Sequence, residues 1–493
     1  MRPWGPHSPW NRPRTQINEV RRVAINTDSS TAPGVPLTPA LPIAAPILGS
    51  AKLLRVVGLG ISLSVACGNM IGVGILRLPG PIAAALGDVP LIIMFWIAGG
   101  LYATLGAVSV SELAAMLPTA GGFYVYARRA FGPRVGFVVG WNDWIANTAA
   151  VAIISLTAAE YLGVFFPRLA GHSKILSLGT LALVTALHWL GVRIGSGIQG
   201  AISGVVGTML LALAVGCFLV TPHAAPSVTA ALSGSVAQLP LFSLAAMIAV
   251  GAALRSIIVT YDGWYGAIYL AEETTDPSRN LPRALILCTT LATALYLLVN
   301  IGFLHALSLP VLASSTLPAA DAARALLPWG GAEIVTVISL ITILSVLNAT
   351  VLVTPRILYA IGRDGLFTER ATRVSRSGTP RVALSVTSGA VAFLIVTGTF
   401  DQIAAIAATL WLLHYLSAYL AVFKLRRAEP ELPRPYRAWG YPWTTAIVIL
   451  GSLMLLVAVI MSDLRSAGFA ALLIAISAPA YGWIARRRTP NAT

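Results

Sequence analysis

The stretch Gly68-Asn69-Met70-Ile71-Gly72-Val73-Gly74-Ile75, followed by Arg77-Leu78-Pro79-Gly80, lies inside an apolar run from residue 57 to 84. Glycine in a helix interior costs about 1 kcal/mol against alanine, so Gly68, Gly72 and Gly74 predict a break near the middle of this run. Backbone groups released inside a hydrocarbon layer are tolerated only where they line a cavity or meet a ligand. A counterpart, Thr260-Tyr261-Asp262-Gly263-Trp264-Tyr265-Gly266, sits midway along the run 243–271, about 190 residues later. Either motif alone is equally explained by close helix packing at small residues. Two of them, each opening a group of five apolar runs, point to a transporter's binding site shared between two halves.

Working outward, apolar windows between charges and Pro/Gly breaks predict twelve spans. These are 57–84, 89–116, 135–164, 175–191, 197–220, 243–271, 284–308, 332–361, 381–399, 402–424, 441–461 and 467–485. The segment Pro118 to Arg134 reads as a short amphipathic helix before the third. The fold class is an all-α integral membrane protein. Composition agrees: 57% of the 493 residues are hydrophobic and 10% charged, whereas a soluble protein carries about 25% charge. The Pro-rich, Arg-bearing residues 1–54 lack the apolar core of a signal peptide and read as a disordered cytoplasmic tail. Residues 486–493 read as a second cytoplasmic tail.

The net charge of +15 would suit nucleic acid, but its placement argues for topology. With both termini inside, 26 of the 33 Lys and Arg lie in cytoplasmic segments, 4 outside and 3 within spans. That bias is what the positive-inside rule expects, and nucleic acid is not expected as a partner. Cys67, Cys217 and Cys288 sit singly in apolar runs, and the six histidines lack ligand spacing, so neither a disulfide framework nor a metal or other cofactor is expected.

The breaks suggest their own chemistry. The start of a half-helix offers N–H groups and the end of one offers carbonyls. Donors suit a carboxylate and acceptors suit an ammonium, so two broken helices can hold a zwitterionic α-amino acid without a charged side chain. Charges inside spans are functional candidates by default. Arg77 follows the first break, Arg255 precedes the second, and Asp401 opens the tenth span on the same side. Arg77 and Asp401 are a candidate closing pair of an outer gate, with Arg255 in the same vestibule; the alternative is that both arginines are hydrated there or snorkel outward. Asp143 and Glu160 are candidate partners of Arg255. Asp262 either selects a cationic side chain or caps the half-helix that follows it. Glu112, Arg356, Arg363 and Asp364 read as loop-fixing ion pairs or inner-gate elements.

Further motifs keep order and spacing from about residue 55 to 445. They are Glu112-Leu113-Ala114, Pro118-Thr119-Ala120-Gly121-Gly122, Tyr124-Val125-Tyr126, Ala130-Phe131-Gly132, Tyr261-Asp262-Gly263-Trp264 and Glu272-Glu273. Asp276-Pro277, Asn280-Leu281-Pro282-Arg283, Pro355-Arg356, Arg363-Asp364-Gly365 and Arg434-Pro435-Tyr436 follow. With the two breaks, these residues resemble the amino acid–polyamine–organocation superfamily, near its L-type and bacterial amino acid permeases. The resemblance implies a LeuT-type 5+5 inverted repeat over residues 55–426, with two peripheral spans in 427–485. It implies a substrate site at Ile71, Gly72, Val73, Gly74 and Ile75, the Gly72–Ile75 amides holding the carboxylate. Val259, Thr260, Tyr261, Asp262 and Trp264 would face the amine and side chain. Some relatives carry a lysine on span 5, where Val206 or Gly207 falls here. Sodium-coupled ones carry a Ser/Thr pair on span 8, where Asn348-Ala349 stands.

The expected function is secondary transport of an amino acid, neutral by preference, across the plasma membrane by alternating access. A coupled proton or a counter-substrate is left open. A cationic amino acid or polyamine antiporter and a non-transporting sensor are the alternatives. An enzyme would need a nucleophile–base set or a metal cluster, and no such pattern stands out.

Overall fold

The computed structural model describes residues 53, 55–219, 235–240, 243–327 and 329–486. Apart from Leu53 and Arg486, the two expected tails therefore lie outside the described residues. The first apolar run is three helices: α1 (Leu59–Met70), α2 (Val73–Arg77) and α3 (Pro79–Leu86). Then follow α4 (Val89–Met116), α5 (Phe123–Phe131), α6 (Pro133–Phe165), α7 (Ser173–Leu190) and α8 (Val192–Gly216). The second half opens with α9 (Leu244–Tyr261) and a 3-10 turn, Gly266–Leu270, followed by α10 (Pro277–Ala306). The short α11 (Leu309–Ser314) and α12 (Pro318–Leu326) precede α13 (Gly331–Val353) and α14 (Pro355–Arg363). The chain ends with α15 (Arg381–Thr397), α16 (Phe400–Ala428), α17 (Trp443–Ser462) and α18 (Leu464–Arg486).

Eleven of the described spans are long and apolar enough to cross a membrane. The ninth expected span, 381–399, is α15, an apolar helix only 17 residues long, or about 26 Å at 1.5 Å per residue. The tenth run, α16, begins at Phe400 with Thr399 as its N-cap, and Asp401 is its second residue. Two boundaries differ from expectation for local reasons. α10 starts at Pro277 and runs through Pro282, because a proline near a helix start removes few intrahelical bonds. The run 332–361 divides at Thr354, where Pro355 takes the first position of α14.

Packing follows a twofold pattern. α4 packs on α10, α6 on α13, and α7 on α15, each helix against its counterpart from the other half. Off-diagonal contacts also come in pairs: α6 with α16 and α13 with α8; α6 with α15 and α13 with α7; α1 with α10 and α9 with α4. Such exchange of partners is what a 5+5 inverted repeat requires. Burial separates core from periphery: 78% of the α6 window and 72% of the α13 segment are buried, against 17% for α18. α17 packs against α9, α16 and α4, and α18 against α6 and α16.

Candidate functional site

Both expected breaks are present. α1 stops at Met70, Ile71 turns to extended backbone, and α2 restarts at Val73. α9 stops at Tyr261, and Gly263 adopts φ +96° before the 3-10 turn, a conformation that L side chains rarely adopt. The two breaks touch. A Cβ on Gly74 would lie 2.6 Å from Thr260 Cα, and one on Gly263 would lie 2.5 Å from the Asn69 carbonyl oxygen. Glycine is therefore required here for backbone to meet backbone.

Carbonyls freed at the two breaks share one partner that the sequence reading missed. The Tyr296 hydroxyl on α10 donates toward Met70 O at 2.7 Å and Thr260 O at 3.2 Å. A hydroxyl carries one proton, so these carbonyls keep acceptor capacity for a ligand. A tyrosine in an apolar helix gives no sequence signal of this role. Asn69 joins the same junction: its Oδ1 accepts from Thr350 Oγ1 at 2.9 Å on α13.

A cavity of about 700 Å³ opens over the junction. Among the sequence-expected site residues, Gly72, Gly74, Val259, Asp262, Arg77 and Arg255 line it. Tyr265, Asn69, Asn147, Val346 and Thr350 also line it. Other candidates sit behind the wall. Ile75 is fully buried, and Thr260 supplies backbone beside Gly74. Tyr261 donates its hydroxyl to Trp96 O at 2.9 Å, and Trp264 is buried with its ring stacked on Tyr415. The Val73 and Asp401 side chains lie outside the described residues.

Asp262 is not a helix cap. Its carboxylate accepts from the hydroxyls of Tyr265, at 3.3 Å, and Tyr415, while the 3-10 turn begins at Tyr265 without a side-chain cap. The tyrosines were available because span 10 packs against the break, which no sequence window reveals.

At one end of the cavity, the Arg255 end, Arg77 pairs with Glu160 at 2.8 Å. Arg255 faces Asp463 in the link between α17 and α18. The Ser466 hydroxyl and amide hold the Asp463 carboxyl below the usual carboxylate range, helped by Arg255. Neither expected partner of Arg255 is engaged with it: Glu160 holds Arg77, and Asp143 bonds Tyr269 and Asn147.

The opposite end, the Arg363 face, is shut by bonds between α14, α5 and the segments flanking the two breaks. Arg356 on α14 makes a bidentate pair with Glu273, at 2.6 and 3.1 Å, both residues nearly fully buried. Arg363 pairs with Glu272. Asp364 accepts from Tyr124 and Arg128 of α5, each at 2.6 Å. The approach to α1 is bonded to the exit of the second break, Val56 and Val57 N–H donating to Glu273 O at 3.0 and 2.9 Å. Glu112 stands apart. It binds Arg426 of α16, at 2.5 and 2.8 Å, and the Ala438 amide at 2.8 Å, which fixes the segment leading to α17.

On span 5, Gly207 faces open space and Val206 is apolar, and Gln199 is the polar residue packed over Gly68 of α1. Its amide bonds Ser203 at 2.8 Å, Ser345 at 3.0 Å and Asn348 at 2.9 Å. Gln199 lies seven residues before Val206, on the same helix face about 10 Å away along the axis.

Comparison with known proteins agrees with this architecture. The amino acid permease family model matches residues 61–477. The chain is similar to the serine/threonine exchanger SteT of Bacillus subtilis (strain 168), 25% identical over 88% of this chain and 98% of that protein. It is also similar to the b(0,+)-type amino acid transporter 1 of Mus musculus, 27% identical over 84% of this chain and 85% of the relative. The Asc-type amino acid transporter 1 of Homo sapiens is 28% identical over 78% of this chain and 74% of its own length. These are transporters, as an inverted-repeat membrane bundle with a central cavity would suggest. The chain belongs to the amino acid permease family.

Proposed function

We propose that the protein moves zwitterionic, neutral α-amino acids across the plasma membrane by alternating access, with both termini cytoplasmic. The observation that carries this reading is the meeting of two backbone breaks at the cavity wall. The amides of Gly72, Val73, Gly74 and Ile75 open α2 and suit the carboxylate, while Val259, Thr260 and Asp262 suit the ammonium. With the positive-inside orientation, the cavity faces outward and the Arg363 face is the closed cytoplasmic gate. The name of the bacterial relative, a serine/threonine exchanger, puts small neutral amino acids first for testing and makes exchange a mode to measure.

Uptake of labelled amino acid into proteoliposomes tests the reading and separates a transporter from a sensor. Substrate class is tested by competition. A decarboxylated amine leaves the α2 amides unpaired, and an unsatisfied buried polar group costs about 1–3 kcal/mol. An α-amino acid is therefore expected to compete at least tenfold better than its amine, leucine against isoamylamine and arginine against agmatine. Amines competing as well as their parent acids would refute the carboxylate site. One observation favours a second reading: the Asp262 carboxylate lines the cavity, so a cationic side chain would find a counter-charge there. Arg77 and Arg255 at the mouth oppose it, and the arginine–agmatine arm measures the balance.

Arg77, Arg255 and Asp401 are the proposed outer gate, closing over bound substrate. A double-mutant cycle on Arg77 and Asp401, read by uptake, is expected to show non-additive losses. Additive losses would take the pair out of the gate.

A further inference from the structure

Behind the cavity wall lies a buried cluster that substrate binding does not use. Asp143 on α6 is fully buried, and its Oδ1 accepts from the Tyr269 hydroxyl at 2.7 Å and from Asn147 Nδ2 at 2.9 Å. Its other oxygen has no hydrogen-bond partner among the described residues. His414 on α16 is also fully buried, with Nδ1 3.6 Å from Asp143 Oδ1. Its ring stacks on Phe123 of α5, centroids 4.4 Å apart, and neither ring nitrogen has a hydrogen-bond partner among the described residues. The other titratable groups facing the pair are Asp262, Tyr265 and Tyr269 of the second break and Tyr415 beside His414. The cations nearest along α5 and α14, Arg128 and Arg363, are engaged with Asp364 and Glu272.

An ionised carboxylate without a counter-charge is costly inside a membrane bundle. Tyr269 and Asn147 donate to one of the Asp143 oxygens, and the His414 imidazole beside it is the group in the cluster that can supply a positive charge. With one proton shared, as carboxylate–imidazolium or as acid–imidazole, the pair is neutral. Without that proton a buried negative charge remains. In the dry, closed arrangement the pair therefore carries its proton. Tyr269, which donates to Asp143, lies in the 3-10 turn Gly266–Leu270 that leads directly to Glu272 and Glu273 of the closed face. Opening that face requires the turn to move, which withdraws Tyr269 from Asp143 and admits water to the pair.

We propose that Asp143 and His414 form a proton-binding site, loaded while the Arg363 face is shut and emptied when it opens, so that one proton accompanies each amino acid. The inference rests on the transport reading above. The proton arrives from cavity water on the side of Asn147 and Asp262 and leaves to water at the Arg363 face. No other group is changed. A zwitterion and a proton together move one positive charge per cycle.

The test uses the full-length protein in proteoliposomes, with labelled serine, threonine and leucine as substrates and a pH-sensitive dye inside. The wild type is expected to acidify the lumen as substrate enters and to speed up at least fivefold when the outer pH falls from 7.5 to 5.5. Asp143→Asn and His414→Gln are expected to retain exchange of labelled for unlabelled substrate, which needs no net proton movement. They should lose both the acidification and the pH response. Variants that acidify the lumen as the wild type does would overturn the site. So would a wild type that moves substrate with no acidification and a flat pH response, and in that case the transport reading still stands. If Asp143→Asn does not give a monodisperse protein, His414→Gln decides alone. If the wild type moves no amino acid, the transport reading fails and this site's role falls with it.

Discussion

Replacing Glu273 by glutamine should slow transport at least tenfold and lower the thermal midpoint of the purified protein. Glu273 and Arg356 are 0% and 2% exposed and bonded through two contacts. Breaking a buried pair from one side leaves an uncompensated charge and costs about 3–5 kcal/mol, whereas replacing both partners by apolar groups is often neutral. Arg356 has one further bond, to the Leu352 carbonyl at the end of α13, which cannot neutralise it. The pair ties α14 to the exit of the second break, so losing it also weakens the closed face. Glu273→Gln combined with Arg356→Met is expected to recover most of the thermal midpoint while leaving transport impaired. The stabilising role of the pair and its part in the cycle would then separate. A Glu273→Gln protein with unchanged midpoint and unchanged uptake would remove the pair from the gate.

Gly74→Val is expected to abolish substrate binding, a loss of at least a hundredfold, and Gly74→Ala should already be severe. One reason is that a Cβ there would keep substrate from the α2 amides. The structure supplies a stronger one: the new Cβ would lie 2.6 Å from Thr260 Cα and 2.9 Å from Thr260 Cβ. Backbone of one break cannot yield to backbone of the other, so both must separate and the cavity wall between them is lost. Gly72 provides the control. Its Cβ would meet Val346 Cγ2 at 2.3 Å, a side chain that a second substitution can shorten. Gly72→Ala should weaken binding, and adding Val346→Ala should restore at least part of it, whereas no side-chain truncation should rescue Gly74→Ala. Binding by scintillation proximity on detergent-purified protein reads all four. Normal binding by Gly74→Val would sink the two-break site.

Much of the fold was legible in the sequence because membrane helices must satisfy their backbone internally. Apolar length then marks spans, and clustered glycine marks breaks. Both breaks fell where Gly72–Gly74 and Gly263 placed them, and Arg77, Arg255, Gly72, Gly74, Val259 and Asp262 do face the cavity. Side-chain direction was not legible. Tyr261 and Trp264 each sit one residue from a cavity-lining position yet turn into the bundle, onto Trp96 and Tyr415. An irregular turn has no period from which to read a facing.

By itself the sequence determined the membrane class, the pairing of the two broken runs and, at the Arg363 face, Arg356, Arg363 and Asp364 as candidate ion-pairing residues without their partners. Local composition, charge placement and glycine spacing are enough for each of these. Only the tertiary structure decided which groups meet across the bundle. Tyr296 reaches the carbonyls of both breaks, Gln199 covers Gly68, Asp463 faces Arg255, and His414 approaches Asp143 across 271 positions of chain. Those meetings depend on how α6, α10 and α16 rotate and slide about the breaks. A shift of one residue turns a helical side chain by about 100°, and in apolar helices that rotation is set by packing with neighbours rather than by any pattern within the helix itself.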